Sequence, residues 1–301
     1  ALLNAFIETG DKVKEYLSQA AKRNIPLLPP DINRSQCGFK SEGNGIRFGL
    51  QGISGLKAMA EDVVDERAKA GDFTTFQDLY DRMSARNAKL NKKCLEGLIY
   101  GGAMNAFSDN KADLLAAIPM LEANDKSTSA ARQMGQFSLF GTTITLPTGT
   151  PRMPGRVELD REFDALGMYL SRHPADELVA FVAHNPRCTT IDAILAQKIE
   201  EGRRINCQTV GLISNLRQFM TRNTEEWMCS FTLSTKFASI PCVMFPKDYK
   251  KFGPLIRENI VICACGYVTQ DNRNEDAKQF VVSGVFDEDS MYKTDGAIEV
   301  T

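Results

Sequence analysis

Cysteine at metal spacing is missing from this 301-residue chain. The eight cysteines (Cys37, Cys94, Cys188, Cys207, Cys229, Cys242, Cys263 and Cys265) include no C-x-x-C pair. The two histidines, His173 and His184, have no cysteine partner at zinc spacing, which argues against a finger or ribbon. One close pair, Cys263-Ala264-Cys265, has the strand spacing that turns both sulfurs to one face. Buried, reduced thiols are the expectation, as in a cytoplasmic protein. Long apolar runs are missing too: nothing approaches the roughly 20 residues that span a bilayer, so no membrane partner is expected. Charge of one sign is not in excess, with 36 Lys and Arg against 38 Asp and Glu. Such a balance neither requires nor excludes a nucleic-acid partner, because phosphate contact depends on local charge. A starting Met and a signal peptide are also absent, so a piece of a longer chain is expected.

What is present reads as a mostly α multi-domain chain followed by an all-β barrel. Apolar residues at helical spacing between Leu2 and Arg23 predict two short helices split at Gly10. Ile25 to Pro30, with three prolines, predicts an extended strut, and Gly45–Leu50 a short strand or turn. Helices are expected near Leu56–Lys69, Thr74–Met83 and Asn91–Tyr100, the last ending at Gly101-Gly102. Another is expected from an Asp109 N-cap to about Glu122. Residues Ala123–Arg156, rich in Thr, Ser, Gly and Pro, read as a linker. Helical pattern returns at Glu158–Leu170, Ala175–Val182 and Ile191–Glu201. Strands follow at Ile205–Leu216, Trp227–Leu233, Ile240–Phe245, Val261–Val268 and Gln279–Phe286, with a short helix near Lys247–Leu255. Five strands with a helix between the third and fourth is the chain order of an OB barrel.

Two hairpins carry the nucleic-acid chemistry. A helix-hairpin-helix lets glycine-borne amides approach a phosphate, and the next helix N-terminus adds partial positive charge. Ile53-Ser54-Gly55-Leu56-Lys57 supplies one such turn. The stretch from Arg82 to Lys93 holds five cations (Arg82, Arg86, Lys89, Lys92, Lys93) and no acid. Cations at a hairpin tip and a helix N-terminus oppose the helix dipole, so something must compensate them, and a phosphate is the expected partner. In the barrel, the segment from Gln218 to Glu225 offers Phe219 and Arg222 to single-stranded nucleic acid. Trp227 alternates in phase with Cys229, Phe231 and Leu233 and is expected to face the core. His173, beside Pro174, reads as a structural helix end.

Five phrases resemble the bacterial DNA polymerase III alpha family, in that family's order. Ile46-Arg47-Phe48-Gly49-Leu50 with Ile53-Ser54-Gly55-Leu56 resembles its entry to a helix-hairpin-helix unit. Leu90-Asn91-Lys92-Lys93-Cys94-Leu95-Glu96-Gly97-Leu98-Ile99, followed by Gly102-Ala103, resembles the second hairpin and its exit. Gln136-Phe137-Ser138-Leu139-Phe140-Gly141 resembles the clamp-binding stretch. Leu166-Gly167-Met168-Tyr169-Leu170-Ser171-Arg172-His173-Pro174 resembles the connector before the OB domain. Val243-Met244-Phe245-Pro246 with Tyr249 resembles the third OB strand and its exit. Where that family usually has a second hairpin glycine, this chain has Lys57.

The resemblance implies an order of parts: the end of a fingers domain (1–48), tandem helix-hairpin-helix (49–108), a helical connector with a clamp-binding linker (109–202), an OB domain (203–288) and a tail (289–301). It implies duplex primer-template DNA as partner for Gly55, Leu56, Lys57, Arg82, Arg86, Lys89, Lys92 and Lys93. From the barrel's own residues, Phe219 and Arg222 are expected either to hold single-stranded template weakly or to belong to a domain that mainly binds protein. The sliding clamp would take Gln136, Ser138, Leu139 and Phe140, and other replisome subunits are implied as further partners. The family's metal-binding palm carboxylates lie upstream, so Mg2+ and catalysis are expected in the parent protein and neither in this piece. Local acids such as Glu61, Asp62, Asp160, Glu162 and Asp164 are read as solvated helix faces. Two other classes compete: an accessory or repair DNA-binding protein built from the same modules, and an RNA-reading OB protein.

Overall fold

A computed structural model describes residues 2–5, 10–86, 90–133, 143–199, 203–222, 224–271 and 274–293. The chain divides into two compact units, 1–171 and 172–301. The division falls inside the expected connector, because the helices after Ser171 pack on the barrel strands.

In the first unit, helices α1 (Leu2–Ala5) and α2 (Gly10–Lys22) precede a small sheet. Strand β1 (Leu27–Leu28) runs parallel to β3 (Gly45–Arg47), which pairs antiparallel with β2 (Lys40–Glu42). The proline strut is thus an edge strand. Arg47 fixes the sheet by donating to both Glu42 carboxylate oxygens (2.8 and 2.7 Å) and to the Pro29 carbonyl (2.7 Å). The helical body is α3 (Ala60–Ala70), α4 (Phe76–Ala85), α5 (Lys92–Tyr100), α6 (Lys111–Gln133) and α7 (Gly155–Leu166). One core joins them, with Leu56, Phe76, Leu79, Met83, Leu95, Leu98 and Leu114 nearly or wholly excluded from solvent. Burial of this kind supplies the main drive to fold. Side-chain caps set the starts of α4 and α5, where Thr75 accepts from the Asp78 amide and Asn91 from the Cys94 amide.

Three expectations are corrected here. The cap of α6 is Asn110, whose side chain accepts from the Ala112 amide, while Asp109 pairs with Arg152 at 2.5 Å. The expected linker is helical as far as Gln133, since its small polar residues lack an apolar period yet continue a helix already nucleated. Its later part is tied down: the Ile144 amide donates to Gln77, the Thr150 amide to Asp113, and Ile144 and Leu146 pack on the core. Third, Glu162 is buried, not solvated, and its carboxylate accepts from the amides of Leu170 and Ser171, closing the turn after α7.

In the second unit, α8 (Asp176–Val182) and α9 (Ile191–Ala196) precede five strands: β4 (Ile205–Met220), β5 (Trp227–Ser234), β6 (Ser239–Met244), β7 (Val261–Asp271) and β8 (Asn274–Asp287). They close in the order β4-β5-β6-β8-β7, with β6 and β8 parallel where the ring shuts. Helix α10 (Pro246–Phe252) lies between the third and fourth strands, as the OB order requires. A last helix, α11 (Glu288–Lys293), follows β8. Alternate residues Cys229, Phe231, Leu233, Ile240, Cys242 and Met244 fill the interior. His173 is buried, with Nδ1 accepting from the Ala175 amide, and it shapes the entry to α8.

Candidate nucleic-acid interface

The first hairpin turns at Gly55, whose φ of +83° a side-chain-bearing residue rarely adopts. Its tip sits on the start of α5. A Cβ at Gly55 would stand 3.1–3.3 Å from Lys93, and the Cys94 thiol donates to the Gly55 carbonyl at 2.8 Å. One turn further, a Cβ at Gly97 would lie 2.4 Å from the Ser54 carbonyl, so only glycine lets α5 approach this closely. The Ser54 amide donates to the Ala165 carbonyl at 2.8 Å, which pins the hairpin from the other side. Leu56 is wholly buried, and its amide is used within the turn, donating to Ile53.

Around this junction Gly55, Lys57, Lys92 and Lys93 are exposed. Lys92 makes a long i,i+4 pair with Glu96 (3.8 Å) and keeps 71% of its side chain in solvent. A glycine turn, a helix N-terminus and three lysines therefore share one region of surface. That arrangement suits a phosphate backbone, where position rather than base identity is recognised.

Arg82 and Arg86 stand differently. Arg82 donates to Glu66 (3.1 Å) and to the Gly71 carbonyl (2.9 Å), and its guanidinium lies 4.3 Å over the Phe73 ring. Arg86 meets the other Glu66 oxygen at 3.0 Å, with Asp62 at 3.9 Å. Hydrogen bonds from Arg86 and Arg82 hold the Glu66 carboxyl below the usual glutamate value. The expectation that this cation run lacks an internal partner is therefore corrected. Acids from α3, distant in sequence, answer two of the five charges. Lys89, and the expected clamp residues Gln136, Ser138, Leu139 and Phe140, lie outside the described residues.

On the barrel, β4 and β5 overrun the closed ring. The β4–β5 register shifts between Ser214 and Arg217, where Asn215 has a φ of +55° and Glu258 accepts from the amides of Asn215 and Leu216 (2.8 Å each). A bulge of this kind bends a strand. Beyond it, Arg217–Met220 and Trp227 are exposed, as is Arg222. Trp227 faces solvent with 53% exposure, beside Phe219 and Met220 at 42% and 47%, which overturns its expected core position. Alternation did place Trp227 on the inward-pointing side of β5, but at that height no barrel interior remains. Asn215, of a residue type that tolerates positive φ, stands at the bulge.

Among the described residues no group of three or more His, Cys, Asp or Glu side chains could hold a metal ion, and no helix is long and apolar enough to cross a membrane. Residues 24–114 match a family model described as a helix-hairpin-helix motif. Along nearly its whole length the chain is similar to proteins named DNA polymerase III subunit alpha. That of Aquifex aeolicus is 32% identical over 288 residues, 95% of this chain and 23% of the relative. That of Bacillus subtilis is 29% identical over 287 residues, 94% of this chain and 24% of the relative. That of Deinococcus radiodurans is 32% identical over 264 residues, 84% of this chain and 20% of the relative. The chain thus spans less than a quarter of the length of these relatives. A helix-hairpin-helix body and a five-stranded barrel, both inside one extended match, make this chain a homologue of a segment of the DNA polymerase III alpha subunits.

Proposed function

We propose that this chain is the DNA-holding part of a replicative DNA polymerase III alpha subunit, with the polymerising chemistry and its Mg2+ carried elsewhere in a longer protein. The carrying observation is the Gly55 turn seated on the N-terminus of α5, with Lys57, Lys92 and Lys93 exposed around it, inside the region that matches the helix-hairpin-helix model. The turn and the lysines grip duplex backbone without reading bases. The overrunning β4–β5 ribbon, with Phe219, Arg222 and Trp227, takes single-stranded template weakly. Residues Gln136, Ser138, Leu139 and Phe140 present a short peptide to the sliding clamp, on sequence resemblance alone. As bases offer a π-face of any sequence, stacking on the ribbon is sequence-tolerant as well.

The test is a competition titration of the whole chain with duplex DNA, oligo-dT and structured RNA. Duplex DNA of unrelated sequences should bind equally and with steep salt dependence. Preference for structured RNA supports the rival RNA-reading class and removes this proposal.

A further inference from the structure

The outer part of the β4–β5 ribbon has little to aim it. Pairing of β4 with β7 ends at Leu212, and pairing of β5 with β6 ends at Cys229. Among the described residues, Phe219 and Met220 therefore have ladder partners only in Met228 and Trp227. An isolated two-stranded ribbon is marginal in water, so its direction is set where it joins the barrel.

The joint is the bulge. Ser214 pairs with Thr232 and Arg217 with Ser230, which leaves Asn215 and Leu216 opposite the single residue Phe231. An extra residue bends a strand, and it also takes amides out of the ladder. Here one side chain answers both of them. One carboxylate oxygen of Glu258 accepts from the Asn215 amide and the other from the Leu216 amide, at 2.8 Å each. Bonds from an ionised acceptor are the strong kind, and two from one rigid group fix consecutive residues together.

The turn that carries Glu258 is itself fastened to β4 just below the bulge. The Asn259 amide donates to the Ile213 carbonyl (3.0 Å), and the Ile213 amide donates to the Ile260 carbonyl (2.9 Å). Ile213 and Ile256 are both buried in the barrel core. Glu258 thus reaches the exposed bulge from a base held by the interior. We infer that Glu258 is a positioning residue for the single-strand contact, and that by clasping the bulge it aims the ribbon carrying Phe219 and Trp227. This rests on the ribbon being that contact.

Charge alone predicts the opposite sign, which makes the role testable. Glu258 is an exposed anion on a unit proposed to meet a polyanion, so through its field its removal strengthens binding. As a clasp, its removal weakens binding, because the aromatics then sample more orientations and ordering them on a base costs affinity. Glu226 supplies the comparison, being an exposed acid at the far end of the same ribbon.

Trp227 is the one tryptophan of the chain, so tryptophan emission reports the ribbon. The experiment measures emission anisotropy and oligo-dT affinity for the full chain and its Glu258→Ala, Glu258→Gln and Glu226→Gln variants, with urea unfolding to establish that each barrel is intact. Glu258→Ala should lower the anisotropy before any oligonucleotide is added and weaken oligo-dT binding severalfold, with duplex binding unaltered. Glu258→Gln, which keeps one accepting oxygen, should fall between, and Glu226→Gln should bind at least as tightly as the unsubstituted chain. Unaltered anisotropy in folded Glu258→Ala, or oligo-dT binding as tight as before, overturns the inference and leaves the single-strand reading standing. Self-association of Glu258→Ala with unaltered anisotropy makes Glu258 a guard of the strand edge and overturns it as well. Failure of the unsubstituted chain to bind oligo-dT removes the single-strand reading and this role with it. If Glu258→Ala does not fold, Glu258→Gln carries both readouts.

Discussion

Replacing Lys57, Lys92 and Lys93 together by Ala should weaken duplex binding and flatten its salt dependence. All three are exposed around the Gly55 turn, and none supports the core. If each lysine neutralises one phosphate, the log–log salt slope becomes shallower by about 2.7, at about 0.9 per contact. Across a fourfold rise in salt, the variant then loses about 40-fold less affinity than the unsubstituted chain. Fluorescence anisotropy with a short labelled duplex, repeated over a salt series, reads the slope directly. Circular dichroism confirms that both proteins are folded. An unaltered slope in a folded variant refutes the argument that these amines meet phosphate.

Further outcomes follow from the same geometry. Arg82→Ala should lower stability by roughly 2–3 kcal/mol through lost charge-assisted hydrogen bonds while leaving the salt slope unaltered. Urea unfolding with the anisotropy series checks both, and a changed slope in a folded variant places Arg82 on the DNA. Glu66, held below the ordinary value of 4.5 by Arg86 and Arg82, contributes stability that is present above that value and is lost as pH falls through its lower folded value. Urea midpoints should therefore fall below about pH 4.5, less steeply in Glu66→Gln, and equal steepness in the two proteins removes the assignment. Trp227 emission should be quenched by oligo-dT, and Trp227→Ala should cost about 1–3 kcal/mol of single-strand affinity. Emission indifferent to oligonucleotide means the ribbon does not stack bases. The Leu139→Ala, Phe140→Ala double variant should lose binding to the cognate sliding clamp, and equal binding by both proteins excludes this segment as the contact.

The order of the elements was legible from local chemistry. Helix starts at Thr75 and Asn91, the stop at Gly101, the strut of prolines and the five alternating strands each follow from a few neighbouring residues. The Gly55 turn and the lysines after Asn91 could likewise be picked out, because a positive-φ glycine and a helix start are local features. Tertiary structure decided which charges are open to a ligand. Glu66 lies 16 residues before Arg82 and 20 before Arg86, so no reading of the cation run itself could show that these arginines are already paired. It also decided where an interior exists. Strand alternation tells which way Trp227 points, but whether that direction leads into a core depends on how far β4 and β5 run past the closed ring. Local propensity is fixed by near neighbours, whereas pairing and burial are fixed by contacts between residues far apart in the chain.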